Sequence, residues 1–221
     1  MKEFLHKHVV FWKDRTILYH MALSCVMIAM ASVLTYSALI YVNNYPTNYV
    51  VPDIFLDNIP IVNVSYVFFQ GALVFALIVL VIIITEPKFI PFTLESTALF
   101  FIIRSFFMIL THLSAPSIEY YKYIEHEHHI RQVLFTVSSG NDLFFSGHTG
   151  VPFLLALMFW DHKILRYVFL CFSVLFAIVV LLGHLHYSID VLSAYFITYA
   201  IFHICRELFK KDWALFLKKE F

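Results

Sequence analysis

Six apolar runs decide what this chain can become: they fall at about 17–42, 63–84, 92–114, 144–160, 164–183 and 187–208. An α-helix needs about 20 apolar residues to cross a hydrocarbon core. A backbone inside lipid must also satisfy its own hydrogen bonds, which leaves the helix as the fold of each run. With 61% hydrophobic and 14% charged residues, the composition lies outside the range of soluble domains and makes a bilayer the solvent. The predicted fold is therefore all-α, a polytopic membrane protein with six transmembrane helices forming one domain over residues 1–221. Trp160-Asp161-His162-Lys163 reads as a tight turn between the fourth and fifth helices. Pro52, Pro60, Pro87, Pro91, Pro116 and Gly140 punctuate the other ends. The first run is too long for the core of a signal peptide and reads as a retained anchor.

Charge sets the expected orientation. Formal net charge is zero, which gives no global basic field for nucleic acid. Most of the 15 Lys and Arg fall on one side of a six-span topology: Lys2, Lys7, Lys13 and Arg15, then Lys88, Lys163 and Arg166, then the cluster from Arg206 to Lys219. By the excess of basic residues in cytoplasmic segments, both termini are expected in the cytoplasm. The opposite loops carry Asp53, Asp57, Glu119, Glu125, Glu127 and Asp142 and are acidic and rich in histidine. Cys25, Cys171 and Cys205 lie within apolar runs and read as small core hydrophobes, not as a disulfide or zinc framework.

Two stretches concentrate polar groups at the expected external boundary: Gly140 to Thr149, and His184 to Asp190. In the second, His186 and Asp190 are four apart, so on one helical face the carboxylate reaches the imidazole, fixes its tautomer and stabilises its cation. A histidine held this way is a nucleophile or a general base. In the first, Ser146 reads as a helix N-cap and Gly147 permits a ligand to approach the backbone. Exposed amides at such a terminus favour an anion, phosphate above all, and His148 in the first turn is placed to protonate an oxygen leaving phosphorus. Arg104 lies within the third run, where a cation must point inward and find a partner: a bound phosphate, Glu95 or a backbone carbonyl. Asp142 divides between loop capping and support of the site. His184 and His112 read first as bland neighbours and second as supporting residues. Glu125-His126-Glu127-His128-His129 offers zinc ligand types, but adjacent loop residues rarely converge, and a solvated face is the expectation. Asn63-Val64-Ser65 matches a glycosylation acceptor but abuts the second span.

The Asp142 to Thr149 and His186 to Asp190 segments resemble the two signature motifs of sphingomyelin synthases, a branch of the lipid phosphatase (type 2 phosphatidic acid phosphatase) superfamily. The likeness extends to Gly183-His184, Asp190-Val191, Ala194-Tyr195, Val51-Pro52-Asp53 and Arg104. Phosphatases of the superfamily share Ser-Gly-His and His-x-x-x-Asp but carry a Ser-Arg pair where Val179 and Val180 stand here. The first motif departs too, with Gly140-Asn141-Asp142 in place of Cys-Gly-Asp. The resemblance implies a lipid phosphatase-like helical bundle whose catalytic residues are His148, His186 and Asp190, with Arg104, Ser146 and Gly147 holding the phosphate. It implies a headgroup transfer from phosphatidylcholine or phosphatidylethanolamine to ceramide or diacylglycerol, through a phosphohistidine, on the extracytoplasmic or lumenal face. Neither a metal nor another cofactor is expected for that chemistry. Hydrolysis by the same residues, as in a lipid phosphate phosphatase or a phospholipase C-like enzyme, is the alternative.

Overall fold

A computed structural model describes residues 8, 9, 11–45, 50–111, 113–117 and 142–218. Every regular element among them is helical: α1 (Arg15–Asn44), α2 (Ser65–Thr85), α3 (Ile90–Thr111), α4 (Gly147–Met158), α5 (Lys163–Leu182), α6 (Ser188–Leu208) and α7 (Lys210–Leu217). Short 3-10 turns occupy Leu56–Asn58 and Pro87–Phe89. Asp14 starts α1 by accepting the amides of Thr16 and Ile17, and Pro87 ends the reach of α2 by leading into the tight turn before α3.

Among the described residues five helices are long and apolar enough to cross a membrane, and their outer faces carry exposed apolar side chains such as Val33 on α1, Val81 on α2, Ile178 on α5 and Phe196 on α6. In water that surface would be a liability; in lipid it is the solvent boundary. The chain is thus an all-helical integral membrane protein.

The fourth expected span is corrected. Instead of 144–160, α4 covers only Gly147–Met158, 12 residues or about 18 Å, short of a hydrocarbon core of about 30 Å. Phe144 and Phe145, counted as helix from their apolarity, belong to the segment ahead of the Ser146 cap, and Phe144 sits at φ 70°. At the far end the turn at Trp160 to His162 leads straight into α5. The short helix is an interior one, with Leu154, Leu155, Ala156 and Met158 all buried. It packs on α5 and α6 and touches α3, while α1 lies along α3 and α2 against α5. Gly150 makes that close packing possible: a Cβ there would sit 2.7 Å from the Phe100 ring of α3 and 2.9 Å from Thr198 Oγ1 of α6. The central core combines Phe92, Phe100, Phe145, Leu154, Phe169 and Ile201. A further helix that the apolar pattern did not announce, α7, folds back on α3 and α6 and buries Phe216.

Candidate active site

The turn between α5 and α6 carries the second motif. His184 holds a positive φ of 50°, which turns the chain sharply before α6, and its buried Nε2 finds no hydrogen-bond partner among the described residues. The helix begins at Ser188, so His186 lies ahead of it and not on its face as the spacing suggested. The pair forms all the same. Asp190, wholly buried at the third helical position, accepts from the Tyr187 amide at 3.2 Å and meets His186 Nδ1 at 3.2 Å, both through Oδ2. A carboxylate only accepts, so Nδ1 carries a hydrogen, and in the neutral ring the lone pair lies on Nε2. The contact arises from helix capping, which draws residues ahead of the first turn toward an acidic side chain inside it.

The first motif opens α4 as its residues suggested. Ser146 caps the helix by accepting the Thr149 amide at 3.4 Å, and His148 occupies the first turn. The two motifs are joined directly: the Ser146 amide donates to the Asp190 carbonyl at 3.0 Å. His148 lies beside Phe68 with ring centres 4.3 Å apart and meets Phe176 edge-on at 6.0 Å. Its ring borders a cavity of about 210 Å³ that Arg104, Asp142, Gly147, Val151 and Phe176 help to line. A Cβ on Gly147 would approach Arg104 only to 3.5 Å, ordinary contact, so this glycine is not forced by packing and leaves backbone open to the cavity. His186 is not among the cavity's lining residues.

Arg104 points inward, and its partners are Asp142, backbone carbonyls and the Met108 sulfur. Its Nε donates to the Phe145 carbonyl at 3.0 Å, one Nη to the Asp142 carboxylate and the other to the Asp142 carbonyl at 3.0 Å. Glu95, the partner that sequence allowed, lies more than two turns away on α3 and does not pair with it. Burial works to raise the Asp142 carboxyl, but the Arg104 guanidinium outweighs it, and His186 and His148 add to the effect, so the group is held below the ordinary carboxylate range. Both histidines therefore lie within electrostatic reach of one carboxylate beside one guanidinium.

Two supports escaped the sequence reading. Asp53, in the loop after α1, accepts the Ser188 amide at 2.7 Å and so caps α6 from a distant part of the chain. Burial pushes its carboxyl up, yet the Ser188, Phe55 and Leu56 hydrogen bonds prevail and hold it low. The Tyr187 hydroxyl donates to the Ser114 carbonyl at 2.9 Å and accepts from the Val51 amide at 3.2 Å, tying three segments together. Only Val51-Pro52-Asp53 had drawn notice in sequence, and neither contact leaves a local pattern. His112 and the Glu125 to His129 cluster lie outside the described residues.

An all-helical membrane protein with two motif histidines, a carboxylate that orients one of them and an anion-favouring helix start beside the other defines the class. Residues 139–207 match the family model PAP2 superfamily C-terminal, a stretch that takes in both motifs. This supports the lipid phosphatase superfamily, whose members are phosphatases and phosphotransferases, without selecting the synthase branch. No curated protein matches the chain.

Proposed function

We propose that this chain is a membrane phospholipid headgroup transferase of the sphingomyelin synthase type. The observation that carries the reading is the Ser146 to Asp190 backbone bond at 3.0 Å, which brings an oriented His186 and a cavity-facing His148 to one place. In the first step His186 Nε2 attacks phosphorus, the P–N bond forms, and the P–O bond to the glyceride oxygen breaks as His148 gives that oxygen a proton. In the second the acceptor hydroxyl loses its proton to His148 and its oxygen attacks phosphorus, breaking the P–N bond and restoring both imidazoles. Asp190 stabilises the positive His186 ring between the steps. The anionic phosphate favours the protonated form of His148 that the first step needs. The Ser146 hydroxyl, the Gly147 amide and the Arg104 guanidinium hold the phosphate oxygens, with Arg104 exchanging part of its contact with Asp142 for the substrate.

The donor is phosphatidylcholine or phosphatidylethanolamine and the acceptor ceramide or diacylglycerol, as the resemblance of both motifs suggests. The basic clusters at the two ends support cytoplasmic termini and, with them, a site on the extracytoplasmic or lumenal face. Hydrolysis is the second reading, favoured by a family match that embraces phosphatases. Fluorescent phosphatidylcholine and phosphatidylethanolamine in detergent micelles, each with and without ceramide or diacylglycerol, separate the two. A new phospholipid that needs both acceptor and an intact His186 is the expected result. Acceptor-independent release of phosphate or headgroup phosphate, lost in His186→Ala, would make the chain a hydrolase.

A further inference from the structure

A second polar cluster lies at the other end of the bundle. His20 on α1, Glu95 on α3 and Asp212 on α7 each place one ligand atom so that all three fall within 4.8 Å of one another. His20 Nδ1 and Asp212 Oδ2 are 2.9 Å apart. Glu95 is 0% exposed, and among the described residues its carboxyl oxygens meet no N–H or hydroxyl donor, only the neighbouring Asp212 carboxyl. The cluster adjoins apolar packing of Phe11, Ile17 and Met21 with Ile90 and Leu215. Among the described residues no Lys or Arg forms an ion pair with Glu95 or Asp212.

A buried carboxylate with both oxygens unmet is costly, and a second carboxylate beside it adds repulsion. With both carboxyls ionised and the imidazole neutral the set carries two negative charges, which a proton shared between Glu95 and Asp212 relieves only in part. A divalent cation in place of that proton makes the set neutral and gives both carboxylates a positive partner. One imidazole nitrogen with two carboxylate oxygens suits a first-row transition ion better than calcium or magnesium, which favour all-oxygen shells.

We propose that His20, Glu95 and Asp212 bind a divalent transition-metal ion of the zinc type, which clips α7 and the start of α1 to α3. Tetrahedral zinc at about 2.0–2.1 Å sets its donors a little over 3 Å apart, a spacing that small side-chain rotations reach here. Glu95 and Arg104 lie nine positions apart on α3, or about 14 Å along its axis, so the ion takes no part in the histidine chemistry. Its effect is on assembly of the bundle end where α7 docks.

The test uses the full chain in detergent, stripped with chelator, loaded with zinc, desalted and analysed for metal by mass spectrometry. Wild type, Glu95→Gln and the loop triple variant His126→Ala, His128→Ala, His129→Ala are compared. About one zinc per chain is expected in wild type and in the loop variant, with zinc raising the thermal midpoint of both. Loss of one of three ligands in Glu95→Gln should weaken binding by more than about 100-fold and abolish the thermal shift. If Glu95→Gln does not fold, His20→Asn takes its place with the same expectation. Wild type that retains no zinc, or zinc that follows the loop histidines instead of Glu95, overturns the proposal.

Discussion

Asp142→Ala removes the carboxylate that, among the described residues, faces a guanidinium only 3% exposed, and the consequence can be worked from its contacts. The Phe145 and Asp142 carbonyls stay, because both are backbone. What is lost is the charge. Orphaning one member of a buried ion pair costs about 3–5 kcal/mol. The Asp142 side chain is 25% exposed, so water relieves part of the strain and the lower end, about 3 kcal/mol, applies. At roughly 2–4 °C per kcal/mol for a chain of this size, the unfolding midpoint in detergent should fall by roughly 6–12 °C. Asp142→Asn keeps an acceptor without the charge and should cost about half as much. Pairing Asp142→Ala with Arg104→Met removes both charges and should recover much of the loss, since no buried cation is left unpaired. Thermal unfolding of wild type, Asp142→Ala, Arg104→Met and the double variant by intrinsic fluorescence measures the coupling. A double variant that loses the sum of the two single losses would refute the reasoning, as would Asp142→Ala melting with wild type.

Two further outcomes test neighbouring parts of the site. Asp190→Asn keeps an acceptor for the Tyr187 amide but loses the charge that fixes the His186 tautomer, so turnover of a lipid phosphate ester should fall by about 10²–10⁴-fold with binding little changed; a loss confined to KM would contradict this. Asp53→Asn weakens the charged cap on the Ser188 amide, a bond of about 1.5–3 kcal/mol. Because the Asp53 carboxyl titrates below its unfolded value, its contribution is complete above about pH 4 and fades as pH falls through the native value. The stability gap between Asp53→Asn and wild type should therefore hold steady from neutral to mildly acidic pH and narrow in stronger acid, and a gap that widens there would refute the assignment.

The parts of the fold that follow from local rules were legible. A bilayer forces long apolar runs to be helices, so five spans fall within a few residues of where hydropathy places them. The His186 and Asp190 pair, four residues apart, was visible for the same reason, although capping rather than a shared helical face brings the groups together. The fourth helix misled because Phe144 and Phe145 are as apolar as the helix they precede, and apolarity does not distinguish a buried turn from a buried helix. Helix α7 is eight residues of mixed character, too short for its period to show. Arg104 announced itself by its cost in lipid, but Asp142 lies 38 positions on in sequence. Asp53 with Ser188, Tyr187 with Ser114, and His20 with Asp212 are likewise contacts that only the assembled bundle creates.

The central claim is that His186 forms the covalent bond to phosphorus. Wild type, His186→Asn and His148→Ala would be incubated without acceptor with a phospholipid donor labelled at phosphate, quenched at high pH and mapped by peptide. The account predicts an acid-labile, base-stable label on the peptide containing His186 in wild type, and none in His186→Asn. Label of unchanged amount in His186→Asn, or label carried by another residue, would contradict it.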